Sequence, residues 1–143
     1  MMATELAGNE QFLELLDNLK HQKPFPHTLL YGPSGVGKTE LGNYIASLSG
    51  TKDTISVYAP MIDKMYVRLL LSGLNPHTVV ILDEIHSLKK DIAETLYDPM
   101  ENFTFQNKKV QPFTLVGITT DLHRISDALI LSLIHISEPT RPY

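Results

Sequence analysis

The stretch TLLYGPSGVGKTEL, Thr28 to Leu41, constrains the fold of this chain more than any other. Thr28–Tyr31 is too short for a helix, and the breakers of KPFPH precede it while a glycine follows. It therefore reads as a buried strand. After Lys38 the spacing of Leu41, Ile45 and Leu48 predicts a helix that Gly50 stops. Between the two lies GPSGVGKT, a full match to G-x-x-x-x-G-K-[ST] in the strand-to-helix setting that gives the pattern its meaning. Gly32, Gly35 and Gly37 permit a backbone that wraps an anion with its N–H groups pointing inward. The helix start adds a positive dipole end. The expected nucleotide-contacting set is Gly32, Pro33, Ser34, Gly35, Val36, Gly37, Lys38, Thr39 and Glu40. In it Lys38 reaches the β- and γ-phosphates and the Thr39 hydroxyl ligates Mg²⁺.

The pattern repeats along the chain. ISVYA (Ile55–Ala59) reads as a second strand, Met61–Leu71 as a helix and TVVIL (Thr78–Leu82) as a third strand. KDIAETLYDPMENF is helical, with Ile92, Leu96 and Met100 on one face and Pro99 expected to kink or shorten it. PFTLVGITT supplies a fourth strand. Before the first strand, Phe12, Leu13, Leu15, Leu16 and Leu19 form a helical stripe with Asn9 as its N-cap. Nearly all-apolar strands alternating with helices predict an α/β fold, a parallel sheet with helices on both faces.

A second chemical feature is VVILDEIH. Asp83 ends an apolar strand, where open parallel sheets place ligands and where a carboxylate can hold Mg²⁺. Glu84 beside it is suited to polarise an attacking water as a general base, which makes a bound phosphate a fuel rather than a static ligand. His86 reads either as a sensor of the γ-phosphate or, more simply, as a polar loop residue beside the site. Asp83 lies 45 positions beyond Lys38 (83 − 38), room for one strand and one or two helices. Two-lobed helicases that carry a D-E-x-H box place more chain there, so the spacing favours a compact ring-type ATPase. At the end of the fourth strand the hydroxyl of Thr119, with Thr120 as alternate, is placed to meet the γ-phosphate or the water.

Composition narrows the remaining classes. A net charge of −4 gives no general affinity for nucleic acid, so any DNA contact must be local, arise from assembly or come from another domain. No cysteine is present, which excludes disulfides and cysteine-ligated zinc. MMATELAGNE lacks the basic and apolar regions of a signal peptide. No apolar run approaches the ~20 residues that span a bilayer. A soluble, cytoplasmic protein with no membrane partner is expected.

With these motifs in place, the chain resembles the large ATPase subdomain of the AAA+ class, and within it the RuvB branch-migration motors of bacteria. LAGNEQ, HTLLYGPSGVGKTEL, VVILDEIHSLKKDIAETLYDPMENF and PFTLVGITT carry the resemblance, which covers nearly all of Leu6 to Leu129. It implies a P-loop AAA+ subdomain over residues 1–130, a hexameric ring around duplex DNA, ATP between subunits, and Lys38, Thr39, Asp83 and Glu84 as the hydrolytic set with Thr119 as sensor. It also implies that Leu6 and Ala7 line the adenine and that Glu101, Asn102 and Phe103 lie near the nucleotide. Asn102 stands where the family has aspartate. In the family a longer hairpin between the helix end and PFTLVGITT docks the junction-binding partner RuvA. Here only TFQNKKVQ remains, which puts dependence on that partner in doubt; Lys108 and Lys109 read either as the tip of a short hairpin that touches DNA or a partner or, more simply, as an ordinary solvated turn. Asp121 stands where the family has arginine.

The last stretch, LSLIHISEPTRPY (Leu131–Tyr143), reads like the conceptual translation of a transposase adaptor used in sequencing libraries. It is set aside from the functional reading. In the family the segment at this point carries an arginine that reaches the neighbouring subunit's ATP, then a further strand, a helical lid and a DNA-binding winged helix. Without them ATP is expected to bind weakly and turn over poorly, and a core strand is expected to lose its outer neighbour and be left as an exposed edge. Two rival readings share the fold: a clamp-loader-like or protein-remodelling ATPase, and a non-catalytic nucleotide-binding adaptor.

Overall fold

The computed structural model describes residue 14 and residues 17–22, 24–32, 38–51 and 53–137, with the side chains at 38, 39, 41 and 134–137 outside that description. The proposed N-cap Asn9 and the stripe residues Phe12, Leu13, Leu15 and Leu16 fall outside it; Leu19 lies inside and is buried. Strand β1 spans Thr28–Tyr31 and helix α1 spans Lys38–Leu48, ending near Gly50, whose φ of 77° only glycine adopts readily. Strand β2 (Thr54–Tyr58) leads through a 3-10 turn (Ala59–Met61) to helix α2 (Lys64–Ser72). The helix starts later than its apolar pattern suggests because the Asp63 carboxylate caps it, accepting from Tyr66 N–H at 2.7 Å.

Strand β3 (Thr78–Asp83) is buried up to Leu82 and is followed by a 3-10 turn, Ile85–Ser87. Helix α3 (Lys90–Asn102) runs through Pro99 instead of stopping before it. Pro99 sits in the last turn, where the one bond it forfeits is to the Thr95 carbonyl, and its ring is buried in the core. Phe103 then ends the helix at φ 52°. Strands β4 (Thr104–Phe105) and β5 (Lys108–Lys109) form a short antiparallel hairpin turned by Gln106 and Asn107, both at positive φ. Its two lysines are exposed. Strand β6 (Phe113–Thr119) is buried throughout; helix α4 (Asp127–Leu131) and strand β7 (Ile134–Ser137) follow.

The main sheet has the order β2-β3-β6-β1-β7, and every pair in it is parallel. Alternation along the strands builds two cores, one per face. Leu30, Val79, Ile81, Val116 and Ile118 pack with Ile45 and Ala46 of α1. Leu29, Val80, Leu82 and Leu115 pack with Val67 and Leu71 of α2, Ile92, Leu96 and Met100 of α3, and Leu129 of α4. The helices therefore cover both faces, as the sequence predicts.

One expectation is corrected. No core strand is left without an outer neighbour at β1: Ile134–Ser137 pairs with it in register from Thr28↔Ile134 to Tyr31↔Ser137. An unpaired row of β1 N–H and C=O groups is a template for any extended segment within reach, and the alternating stretch IHIS satisfies it.

His27 at the head of β1 fastens the other end of the sheet. Its Nδ1 accepts from Leu115 N–H at 2.9 Å, and its Nε2–H donates to the Met100 carbonyl at 2.9 Å. Only the neutral ring makes both bonds. Burial lowers its pKa below the usual histidine value, and the rings of Phe113 and Phe103 lie 5.4 and 6.2 Å away.

Candidate nucleotide site

Strand register brings the chemically suited residues to one edge of the sheet. Tyr31 pairs with Thr119, and Ile118 with Asp83, so the C-terminal tips of β1, β6 and β3 lie side by side. Gly32, the first residue of the glycine-rich loop, is buried, and its N–H donates to the Thr119 carbonyl at 3.3 Å. The loop thus leaves the sheet directly beside Thr119. Open parallel sheets hold ligands at this edge because the loops that diverge there leave a crevice.

At the tip of β3, Asp83 is half-buried, and its Oδ1 accepts from Glu84 N–H at 2.9 Å. Glu84 itself sits at φ 52°, ψ 48°, a left-handed conformation costing roughly 1–3 kcal/mol in a residue with a side chain. That backbone turns the chain sharply out of the strand into the Ile85–Ser87 turn. The Tyr58 hydroxyl, from the tip of β2, donates to Glu84 Oε2 at 3.1 Å. This bond, followed by the nearby Glu84 charge, holds the exposed phenol's pKa above its ordinary value.

Thr119 is buried, with 1% exposure, and its hydroxyl makes two contacts within the protein. Oγ1 accepts from Asp121 N–H at 3.0 Å and shares a 2.8 Å hydrogen bond with His86 Nδ1. The Asp121 carboxylate caps the next turn, Leu122–Arg124, accepting from His123 N–H. Aspartate at that position therefore has a local role of its own. Thr120, the alternate, is exposed.

The other predicted positions divide into three groups. Leu6, Ala7, Pro33, Ser34, Gly35, Val36 and Gly37 lie outside the described residues, as do the side chains of Lys38 and Thr39; the backbone of Lys38 and Thr39 opens α1. Glu40 is exposed in the first turn of α1. Glu101, Asn102 and Phe103 are not brought to the Asp83–Thr119 edge, because α3 carries them back to the opposite end of the sheet. There Glu101 Oε1 accepts from Ser132 Oγ at 2.7 Å, Asn102 donates to Asp98, and the Phe103 ring lies 5.9 Å from Phe113 at the start of β6. At ~3.3 Å per residue, the length of β6 separates them from Thr119 by roughly 20 Å. The three residues thus stand apart from the Asp83–Thr119 edge.

Sequence reasoning missed two contacts: Tyr58 with Glu84, and His86 with Thr119. Each joins the last residue of a strand to a residue at the turn after β3, far away in the chain, and only the strand order makes them neighbours. Among the described residues no group of three or more His, Asp or Glu could hold a metal ion, and no helix is long and apolar enough to cross a membrane.

A strand running through GPSGVGKT into a helix, in a parallel sheet whose neighbouring tips carry Asp83, Glu84 and Thr119, defines a nucleotide-binding domain of the P-loop NTPase class. A family described as the Holliday junction DNA helicase RuvB P-loop domain matches residues 12–134, and this chain belongs to that family. It is 34% identical over 140 residues to the Holliday junction branch migration complex subunit RuvB of Mesomycoplasma hyopneumoniae strain 7448, covering 85% of this chain and 44% of that protein. It is 40% identical over 116 residues to the subunit of the same name from Lactobacillus johnsonii, covering 72% and 34%. Among solved structures, the Thermotoga maritima RuvB Holliday junction branch migration motor superposes with a TM-score of 0.80 at 33% identity, over 91% of this chain and 44% of that one. The chain therefore spans less than half the length of the relatives it matches.

Proposed function

We propose that this domain binds and hydrolyses ATP to drive a DNA branch-migration motor acting in recombination and repair, working as a ring of copies around duplex DNA at Holliday junctions. The observation that carries the reading is the alignment of Gly32, Thr119, Asp83 and Glu84 along one sheet edge. In this reading Lys38 contacts the β- and γ-phosphates. Thr39 and Asp83 are the oxygen donors for Mg²⁺, which typically takes one or two protein ligands and completes its shell with phosphate and water. The half-buried Asp83 carboxylate beside the loop strand fits that demand. When bound, the ion would neutralise phosphate charge. Glu84 takes the proton of the attacking water as the bond from the γ-phosphorus to the β-phosphate oxygen breaks, leaving ADP and inorganic phosphate. Thr119 meets the terminal phosphate.

The family match favours the DNA motor over a clamp loader, a protein remodeller or a passive adaptor. The short β4–β5 hairpin supports a motor with little dependence on a RuvA-like partner, and a cytoplasmic setting accords with the cysteine-free sequence. Residues 131–143 belong to the proposal as an adaptor-derived tail whose strand pairs with β1 by opportunity. Sequencing the source DNA across codon 130 without transposase adaptors tests it, and finding the same tail would overturn it.

The chemical reading is tested by titrating a fluorescent ATP analogue with Mg²⁺ and by single-turnover hydrolysis with protein in excess. Lys38→Ala should abolish binding. Glu84→Gln should leave binding intact and lower turnover by roughly 10²–10⁴. Unchanged turnover in Glu84→Gln would remove the general base from the scheme.

A further inference from the structure

We propose that His86 is a positioning residue that sets the hydrogen-bond polarity of the Thr119 hydroxyl, and so decides whether Thr119 can donate to the terminal phosphate of a bound nucleoside triphosphate. This rests on the placement of Thr119 at the phosphate end of the site. A threonine hydroxyl has one proton to donate and two lone pairs to accept with. One lone pair of Thr119 is taken by Asp121 N–H at 3.0 Å. The second contact, His86 Nδ1 at 2.8 Å, can run either way.

If Nδ1 is bare, the hydroxyl proton points at the ring and none is left for a ligand. If Nδ1 carries a proton, the ring donates, both lone pairs are filled, and the only role left to the hydroxyl is to donate outward. A terminal phosphate, an acceptor, selects the second arrangement. Because Thr119 is buried, bulk water cannot make up a missing partner.

The positions of both partners are tightly held. His86 stands in the turn closed by Ser87 N–H to the Glu84 carbonyl at 2.8 Å and Leu88 N–H to the Ile85 carbonyl at 3.1 Å. Thr119 is tied to the loop through its carbonyl and Gly32 N–H at 3.3 Å. The triphosphate state of the loop and the turn that carries Glu84 therefore meet at a single hydroxyl.

The test compares His86→Asn, whose amide can still present an N–H to Thr119, with His86→Asp, whose carboxylate can only accept. Affinities for ADP and for a non-hydrolysable imido analogue of ATP, both with Mg²⁺, are measured by calorimetry. The wild type and His86→Asn should prefer the triphosphate alike. In His86→Asp that preference should fall by about tenfold or more, the usual weight of a hydrogen bond to a charged group, with ADP affinity held within about twofold. Simple charge repulsion would lower the preference equally when Thr119 is first replaced by Val; action through Thr119 leaves nothing further to lose there.

A second readout needs no substitution. Ring nitrogen shifts of His86 should report Nδ1 protonated with the imido triphosphate and bare with ADP. Equal preferences in the Asn and Asp variants, or a bare Nδ1 in the triphosphate complex, overturn the inference while leaving the nucleotide reading intact. A wild-type chain that binds neither nucleotide overturns both.

Discussion

Gly117→Ala is a sharp test of how the site is braced from below. Gly117 lies in β6 between Leu29 of β1 and Leu82 of β3. A methyl group added there would lie 2.7 Å from Ile85 Cδ1 and 3.3 Å from both Ile85 Cγ2 and Leu29 Cδ1. Ile85 is 1% exposed and opens the turn that carries His86, immediately after Glu84. Two effects compete. Replacing a strand glycine by alanine ordinarily contributes about 0.5–1 kcal/mol, whereas forcing a methyl into a packed core costs about 1–3 kcal/mol. At 2.7 Å Ile85 must move, and its buried side chain has little room, so the clash wins. At about 2–4 °C per kcal/mol for a chain of this size, the melting temperature should drop by roughly 2–10 °C. Ile85→Val removes Cδ1, the atom in the closest contact, at its own cost of about 0.5–1.5 kcal/mol. If the mechanism is right, the double variant is no less stable than Gly117→Ala alone, a coupling on the order of 1 kcal/mol. Urea unfolding followed by circular dichroism measures all three. A neutral or stabilising Gly117→Ala, or strictly additive losses, would refute the reasoning.

Three further outcomes are expected. His27 is held neutral in the fold, with its pKa lowered, while in the unfolded chain it titrates near ~6.5. Its contribution to stability is complete above that value and is lost as pH falls below it, by up to about 1.4 kcal/mol per pH unit. The urea midpoint should therefore decline from neutral pH toward pH ~5, and His27→Ala should be less stable at neutral pH with a flatter profile. Tyr58→Phe removes the phenol that donates to Glu84 and frees that carboxylate. Single-turnover hydrolysis should rise by less than about tenfold with the melting temperature nearly unchanged, and a fall in rate would show that the phenol assists the base. Ending the chain after Leu133 strips β7 from β1. Amide exchange at Leu29 and Leu30 should then quicken while that of Val80 and Ile81 holds, and uniform exchange across the sheet would contradict the edge role of β7.

What the sequence made legible was local. A strand of four apolar or β-branched residues ahead of GPSGVGKT needs no partner to be recognised, and Thr28–Tyr31 and Lys38–Leu48 form where composition and spacing place them. Asp83 is legible because an apolar run ends on a carboxylate. The misses share another physical origin. Tyr58 and His86 acquire meaning only through partners 26 and 33 positions away, and single-residue patterns carry no register. The position of Glu101 to Phe103 was not legible either, because the direction of α3, not its pattern, decides which end of the sheet they reach. Pro99 misled because its cost depends on how many bonds remain beyond it, and near a helix end few do.

The strand order also governs when the site can exist. Among the described strands of the sheet β1 comes first in the chain, yet its partners are β6 and β7, the last two of them. While the chain emerges from the ribosome, β2 and β3 can pair early, but the strand that feeds the glycine-rich loop must wait for Phe113–Thr119. At about 5–20 residues per second that interval is on the order of 5–20 s. A nascent chain interrupted before β6 can carry the whole of GPSGVGKT and still have no anchored loop to offer a phosphate. Nucleotide capture by this domain is thus a report that translation has passed the sixth strand.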